Sequence, residues 1–172
     1  MSSEQLAGIT LRDCSDLPRA GFKGPTAADF LRANGVPVPD RHNQWSPHLG
    51  GFVMRLGFSE FLLESTAEND WTTPLDERSR TATQVVPVLR QDTSLFLSGP
   101  RVHDLLAQAC SFDFESLRAS PNEVVMTQMI GVSIITLRAS PSPEQAYRVW
   151  CDPSFGDYLI HTLEQITAEQ AP

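Results

Sequence analysis

The chain has 172 residues and a formal net charge of −8, and hydrophobic residues make up 41% of it. This length and composition suit a globular protein with a core of its own, built as one domain or as two merged halves. The acidic excess leaves no basic face for nucleic acid, and no apolar run is long enough to span a membrane.

The first residues do not form a basic segment followed by an apolar block, which is the pattern of a secretory signal. We therefore expect a cytoplasmic protein. The three cysteines, Cys14, Cys110 and Cys151, are odd in number and far apart in the chain. That pattern does not suit a disulfide framework or a zinc site, and it predicts free, buried thiols.

In the first half of the chain, an alternating segment predicts a strand, and a Gly-Pro pair then opens a helix with apolar residues at helical spacing. Pro25 suits the first helical position, where a missing N–H costs nothing, and Gly35 suits the helix end. In chain order we predict a strand at "ITLRDC", a bend at "SDLPRAG", the Gly-Pro helix, a loop at "VPVPDRHNQWSPHLGG", strands at "FVMRLG" and "EFLLES" that form a hairpin through Gly57, Phe58 and Ser59, and a short helix from Pro74.

The second half contains another Gly-Pro pair, followed by a second amphipathic helix. Gly131 marks a turn or bulge inside a segment too long for one straight strand, and Asp152 with Pro153 suits a helix start. In chain order we predict strands at "TQVVPVLR" and "TSLFLSG", the Gly-Pro helix, a loop at "SFDFESLRASPNE", two strands within "VVMTQMIGVSIITL", a strand at "AYRVWC" and a final helix.

The two Gly-Pro pairs, at Gly24 and Gly99, open similar segments. Each half is expected to follow the order strand, helix, strand, strand, helix. We therefore predict an α+β fold with an internal duplication, in which pseudo-repeats of about 6–82 and 83–168 share a sheet and a core. The two repeats would form a single domain, 1–172.

The Gly-Pro pairs allow two interpretations. A helix N-terminus can bind an anion, and Lys23 precedes one pair while Arg101 follows the other. However, Pro25 and Pro100 each remove an N–H donor, and an anion cradle is normally richer in glycine. We favour the second interpretation, a tight turn from strand to helix.

The residues that carry chemistry in enzymes are not arranged for it in this sequence. His42 and His48 lack a nearby ligand at metal-binding spacing, and Cys110 ends a helix, where the dipole disfavours a reactive thiolate. Asp113 and Glu115 have the pattern of a solvated surface, and no glycine-rich dinucleotide motif is present. We predict no catalytic, cofactor-binding or metal-binding residue in this chain.

Exposed aromatic residues are the remaining indication of function. Trp45 and Trp71 fall in predicted polar loops, and tryptophan is enriched at the energetic centres of protein interfaces. A loop tryptophan can equally fold back onto its own core, and both alternatives stay open. The candidate interface residues are Lys23, Trp45, Trp71 and Arg101.

The sequence resembles the gamma subunit of heterotetrameric sarcosine oxidase and the related small subunit of N-methylglutamate dehydrogenase. The segments that carry the resemblance are "GFKGPTAADFLRANGVPVP", "NQW", "LGFSEFLLE", "LFLSGPRVHDLLAQACSFDF", "VVMTQMIGVSIITL" and "DPSFGDYLIHTL". The resemblance implies the duplicated α+β fold of the folate-binding domain of aminomethyltransferases. It also implies larger partner subunits that bind FAD, FMN, NAD and tetrahydrofolate, and no cofactor in this chain.

Our hypothesis is therefore a non-catalytic, gamma-type subunit of a flavin-dependent complex that demethylates sarcosine or a related N-methyl amino acid. It would support assembly of the larger flavoprotein subunits and channelling of the reactive intermediate. The alternative is a stand-alone, tetrahydrofolate-binding protein like an aminomethyltransferase. A scaffold protein unrelated to amines is a third possibility.

Overall fold

The computed structural model describes residues 3–6, 8–139 and 145–169. The strands are β1 (Ser3–Leu6), β2 (Ile9–Asp13), β3 (Arg19–Lys23), β4 (Gln44–His48), β5 (Gly51–Arg55), β6 (Glu60–Glu64), β7 (Val86–Val88), β8 (Thr93–Ser98), β9 (Val124–Met129), β10 (Val132–Arg138) and β11 (Ala146–Cys151). The helices are α1 (Ala27–Ala33), α2 (Thr72–Ser79), α3 (Val102–Ala109) and α4 (Gly156–Glu169), with short 3-10 helices at Phe114–Arg118 and Pro153–Phe155.

Contacts along the chain divide it into two compact units. The middle unit is Leu17–Gln91, and the terminal unit combines Met1–Asp16 with Asp92–Pro172. Among the residues that the structure describes, each unit has an antiparallel sheet and two α-helices. None of the helices in the described ranges combines the length and apolarity that a membrane span needs.

The sheet of the middle unit has the strand order β4-β5-β6-β3-β7. Side chains of successive strand residues point to opposite faces, so alternate residues can share one core. Phe22 of β3 and Phe61 and Leu63 of β6 are fully buried and cluster with Leu31 of α1 and Leu75 of α2. The two helices therefore cover one face of this sheet.

The sheet of the terminal unit has the strand order β1-β2-β8-β11-β10-β9. Leu95 and Leu97 of β8 alternate onto one face and are fully buried. They belong to the same core cluster as Leu105 of α3 and Leu159 and Leu163 of α4. In this unit too, helices cover one face of the sheet.

Apart from β1, which adds a sixth strand to the sheet of the terminal unit, the two sheets have the same spatial order of strands. In the middle unit β3 is followed by α1, a run of three strands (β4, β5, β6) and α2, and β7 pairs with the free side of β3. In the terminal unit β8 is followed by α3, β9, β10, β11 and α4, and β2 takes the place of β7 beside β8. The repeated order is consistent with duplication, which itself stays a prediction.

Several details differ from the sequence prediction. Gln44–His48, expected in a loop, is β4, because it pairs with β5 along its length and buries Trp45. Arg19–Lys23, whose first three residues were expected in a bend, is β3. The expectation of one shared sheet is wrong, because β7 pairs with β3 whereas β8 pairs with β2 and β11.

The N-terminal strands explain why the compact units differ from the predicted repeats of 6–82 and 83–168. The segment Ile9–Asp13 was expected to open the first repeat. It pairs instead with β8, across the register Thr10↔Ser98 to Asp13↔Leu95. The first strand of the middle unit is therefore β3, and β2 completes the sheet of the other unit.

Candidate functional site

The first Gly-Pro turn is closed against main chain. Gly24 has φ of +131°, which favours glycine, and a Cβ on it would overlap the carbonyl oxygen of Gln84, just before β7. The Gly24 N–H donates to the Ser59 carbonyl at 3.1 Å, and the Thr26 hydroxyl donates to the Thr83 carbonyl at 2.6 Å. The turn is thus tied to the neighbouring strands of its own sheet.

The second Gly-Pro turn has the same construction. Gly99 has φ of +117°, and a Cβ on it would overlap the carbonyl oxygen of Gly8, just before β2. Since β2 and β7 occupy the same place in the two sheets, each Gly-Pro turn packs on the segment that leads into the equivalent strand. In both cases glycine is required because another stretch of backbone passes where a side chain would lie.

This geometry favours the tight-turn interpretation over an anion site. At the first turn the Gly24 N–H already has a carbonyl partner, and Pro25 has no N–H to offer. The flanking cations also have partners: Lys23 lies 3.1 Å from Glu60, and Arg101 lies 3.2 Å from Asp104. The Gly-Pro pairs therefore build the fold, with one such turn in each unit.

The predicted interface tryptophans are not exposed in loops. Trp45 is on β4 and Trp71 immediately precedes α2, and each is only 9% exposed. The Trp45 ring lies 5.3 Å from the ring of Phe52, and the Trp71 ring lies 4.7 Å from the ring of His48. Within this chain both tryptophans therefore pack against their own fold, which is the second of the two alternatives given above.

The two charged candidates remain at the surface. The side chain of Lys23 is 51% exposed at the end of β3, and that of Arg101 is 39% exposed at the start of α3. They lie in different units, so the structure does not gather the four candidates into one patch within a unit. Their role in an interface stays a prediction.

His103 forms a polar cluster that the sequence did not indicate. Its Nδ1 lies 2.6 Å from the Glu115 carboxylate, and its Nε2 lies 2.6 Å from the Tyr147 hydroxyl. Glu115 also accepts a hydrogen bond from Arg118 at 3.1 Å. When His103 is neutral, its proton is on Nδ1, where the carboxylate accepts it, and Nε2 then accepts from the phenol.

A cavity of about 310 Å³ lies beside this cluster. It is lined by His103, Leu106, Ala107 and the segment from Cys110 to Glu115. Tyr147 is only 1% exposed, and burial raises the pKa of its phenol. Both ring nitrogens of His103 already have protein partners, so the cluster mainly fastens α3 and the Phe114–Arg118 turn to β11.

A second, more open cavity of about 410 Å³ lies over β9, β10 and β11. Asp92, Cys151 and Asp152 are among the residues that line it. Burial, together with the negative charges of Asp152 and Asp92, raises the pKa of the Cys151 thiol to about 11. Cys151 is therefore a neutral thiol at physiological pH, which does not suit a nucleophile.

Neither a protein-family model nor a curated protein matches the chain. Solved structures do match it, and they provide the comparison. The chain aligns with one from the heterotetrameric sarcosine oxidase of Corynebacterium sp. U-96, solved with pyrrole 2-carboxylate, at a TM-score of 0.77 and 22% identity, covering 98% of this chain and 88% of that one. The fold is shared. The prediction of a structural resemblance to that complex is thereby confirmed at the level of the fold.

A second match extends this comparison. Aminomethyltransferase T of the glycine cleavage system from Bartonella henselae aligns at a TM-score of 0.69 and 17% identity, covering 97% of this chain and 48% of that one. The chain thus spans about half the length of that transferase. The predicted α+β fold, with its resemblance to aminomethyltransferases, is confirmed.

Proposed function

We propose that this chain is a non-catalytic, gamma-type subunit of a cytoplasmic complex that demethylates sarcosine or a related N-methyl amino acid. The observation that carries the proposal is the alignment with a chain of heterotetrameric sarcosine oxidase, which covers nearly all of both chains. In this role the chain supports assembly of larger flavoprotein subunits and helps to enclose the passage of the reactive intermediate.

The local geometry supports a structural role. At each Gly-Pro turn the space beside the glycine is taken by main chain, and the first turn directs its glycine N–H to a protein carbonyl. His103, the imidazole beside the smaller cavity, is held between Glu115 and Tyr147. These groups serve the fold of the chain itself, and chemistry is left to its partners.

The cofactors of the proposed complex, FAD, FMN, NAD and tetrahydrofolate, are assigned to the partner subunits. The Gly-Pro turns do not fit the phosphates of a dinucleotide, because Pro25 and Pro100 lack the N–H groups that such a site requires. The proposed function therefore places no cofactor on this chain.

The proposal is tested by purifying the chain, tagged and intact, from its native host. We expect larger flavin-containing chains to accompany it in a fixed ratio and to oxidise an N-methyl amino acid. The chain expressed alone should be colourless and inactive. A flavin that stays bound to the isolated chain after dialysis would count against the proposal.

The second candidate is a stand-alone tetrahydrofolate-binding protein like an aminomethyltransferase. It is favoured by the alignment with half of aminomethyltransferase T and by the carboxylates of Asp113 and Glu115 at the cavity beside His103, since a pterin site needs an acidic residue. A titration of the isolated chain with tetrahydrofolate separates the candidates. Micromolar binding that is lost in Glu115→Gln would favour the second candidate over the first.

A further inference from the structure

Phe58 is an exposed aromatic residue in the turn between β5 and β6. Its side chain is 83% exposed, and its ring lies 5.1 Å from the ring of His42. Single exposed apolar residues are common on protein surfaces and need no explanation by themselves. What distinguishes Phe58 is the number of contacts that fix the backbone around it.

Arg55 holds the turn that carries Phe58. Its Nε donates to the Gly57 carbonyl at 3.3 Å, and its Nη2 donates to the Phe58 carbonyl at 2.8 Å. Its Nη1 donates to the carbonyls of Pro39 and Asp40 at 3.0 and 2.8 Å. One planar guanidinium therefore joins the β5–β6 turn to the loop before β4, which carries His42.

The other side of the turn is fixed as well. The Ser59 carbonyl accepts a hydrogen bond from the Gly24 N–H at 3.1 Å. The Glu60 carboxylate lies 3.1 Å from the Lys23 ammonium and 3.0 Å from the Arg90 guanidinium. The backbone is thus held before and after Phe58, so a partner that binds the ring pays little entropy for ordering the turn.

The charges around Phe58 differ in balance from those of the whole chain. The charged side chains at or beside this turn are those of Lys23, Arg55, Arg90 and Glu60, and the segment that contains His42 also carries Asp40 and Arg41. A local excess of positive charge stands out in a chain whose formal net charge is −8. A central aromatic anchor with a charged rim is the usual anatomy of a protein interface.

We propose that this surface, the Phe58 platform (Asp40–His42 and Gly57–Ser59, with Lys23 and Arg55), docks on a larger flavoprotein subunit. The partner offers an apolar pocket for the phenyl ring, surrounded by acidic side chains that complement the rim. Two copies of this acidic chain repel each other at long range, which disfavours a second copy as the occupant. The inference rests on the proposed function and identifies the surface through which the chain would bind its partner.

The test measures the affinity of the full chain for the flavoprotein subunits that accompany it in the native host. Phe58→Ala should weaken binding by roughly thirty-fold or more, as expected for a central aromatic anchor. The control is Leu89→Ala, because Leu89 is 81% exposed in the same unit and lies outside the platform. It should change the affinity by less than about three-fold, as typical for a peripheral contact. Thermal unfolding of both variants should match the wild type, and added salt should weaken wild-type binding.

The outcomes separate the inference from the proposed function. If the wild type does not bind the flavoprotein subunits, both are overturned. If the wild type binds and Phe58→Ala binds equally well, the docking inference fails while the proposed function stands. If sedimentation of the chain alone shows a dimer that Phe58→Ala dissociates, the occupant is a second copy and the inference is again overturned.

Discussion

The close packing of backbone at the Gly-Pro turns predicts that alanine at Gly24 or Gly99 is strongly destabilising. Gly24 has φ of +131°, and an alanine Cβ would overlap the Gln84 carbonyl. A residue with a side chain in that conformation costs about 1–3 kcal/mol, before the overlap is relieved. Relieving it requires moving the segment that leads into β7, whose pairing with β3 holds it in place. We expect a total loss of about 3–5 kcal/mol of unfolding free energy, in the range of severe single substitutions.

Each variant has a matched control in its own unit. Gly35 in the middle unit and Gly131 in the terminal unit both have φ of +78°, but a Cβ on either would meet nothing within 4 Å. Alanine at these positions therefore costs only the left-handed conformation, about 1–2 kcal/mol. The difference between Gly24→Ala and Gly35→Ala, or between Gly99→Ala and Gly131→Ala, isolates the backbone overlap.

The assay is urea unfolding followed by circular dichroism, with the midpoint and slope fitted for each variant. We expect each Gly-Pro variant to lie at least about 2 kcal/mol below its control, the excess that the overlap adds to the backbone strain. If either pair differs by less than about 1 kcal/mol, the main chain is not tightly packed on that glycine, and the structural account of the Gly-Pro turns is refuted.

Three further predictions concern single side chains. His103→Ala should lose about 1 kcal/mol in urea unfolding, because the buried Tyr147 hydroxyl loses its 2.6 Å contact and keeps only the Phe114 carbonyl at 3.3 Å; an unchanged midpoint would contradict this. Burial raises the pKa of Asp70, but hydrogen bonds from Thr73 and Thr72 lower it more, so its pKa is depressed. Asp70→Ala should therefore cost about 1 kcal/mol above the ordinary carboxyl pKa, and the difference should vanish as pH falls through the folded-state pKa; a constant difference would be contrary evidence. Cys151, with its pKa raised to about 11, should resist alkylation at pH ~8 until the chain unfolds, as mass spectrometry of the labelled thiols would reveal.

The sequence was informative wherever one short segment determines the structure. The hairpin of β5 and β6 was predicted from two apolar runs around Gly57, and the turn between β9 and β10 was predicted from Gly131. Asp152 was predicted to cap a helix, and its carboxylate accepts a hydrogen bond from the Ser154 N–H at 2.9 Å. In each case the residues that indicate the element lie within a few positions of the element itself.

The missed elements depend on partners that are distant in the chain. Strand β4 contains Pro47 and polar residues that are typical of a loop, and it is a strand because β5 pairs with it. Neither segment alone indicates that β2 pairs with β8. Because of this pairing, the strand that was predicted to open the first repeat belongs to the terminal unit.

The candidate site was less predictable than the fold. His103 and Tyr147 are 44 residues apart, and no local pattern indicates that their side chains meet. The burial of Trp45 likewise follows from the strand that carries it, which the sequence had placed in a loop. One signal for the Phe58 platform was present in the sequence, since an aromatic residue between Gly57 and Ser59 stands in a predicted hairpin turn.

The most direct test of the proposed function is the oxidation of sarcosine and other N-methyl amino acids, measured for the purified chain alone, for the proposed flavoprotein partners alone, and for the two together. We predict no turnover by the chain alone and the highest turnover by the assembled complex. Sustained demethylation by the dialysed chain without partners, or a flavoprotein that assembles and works equally well in its absence, would contradict the account.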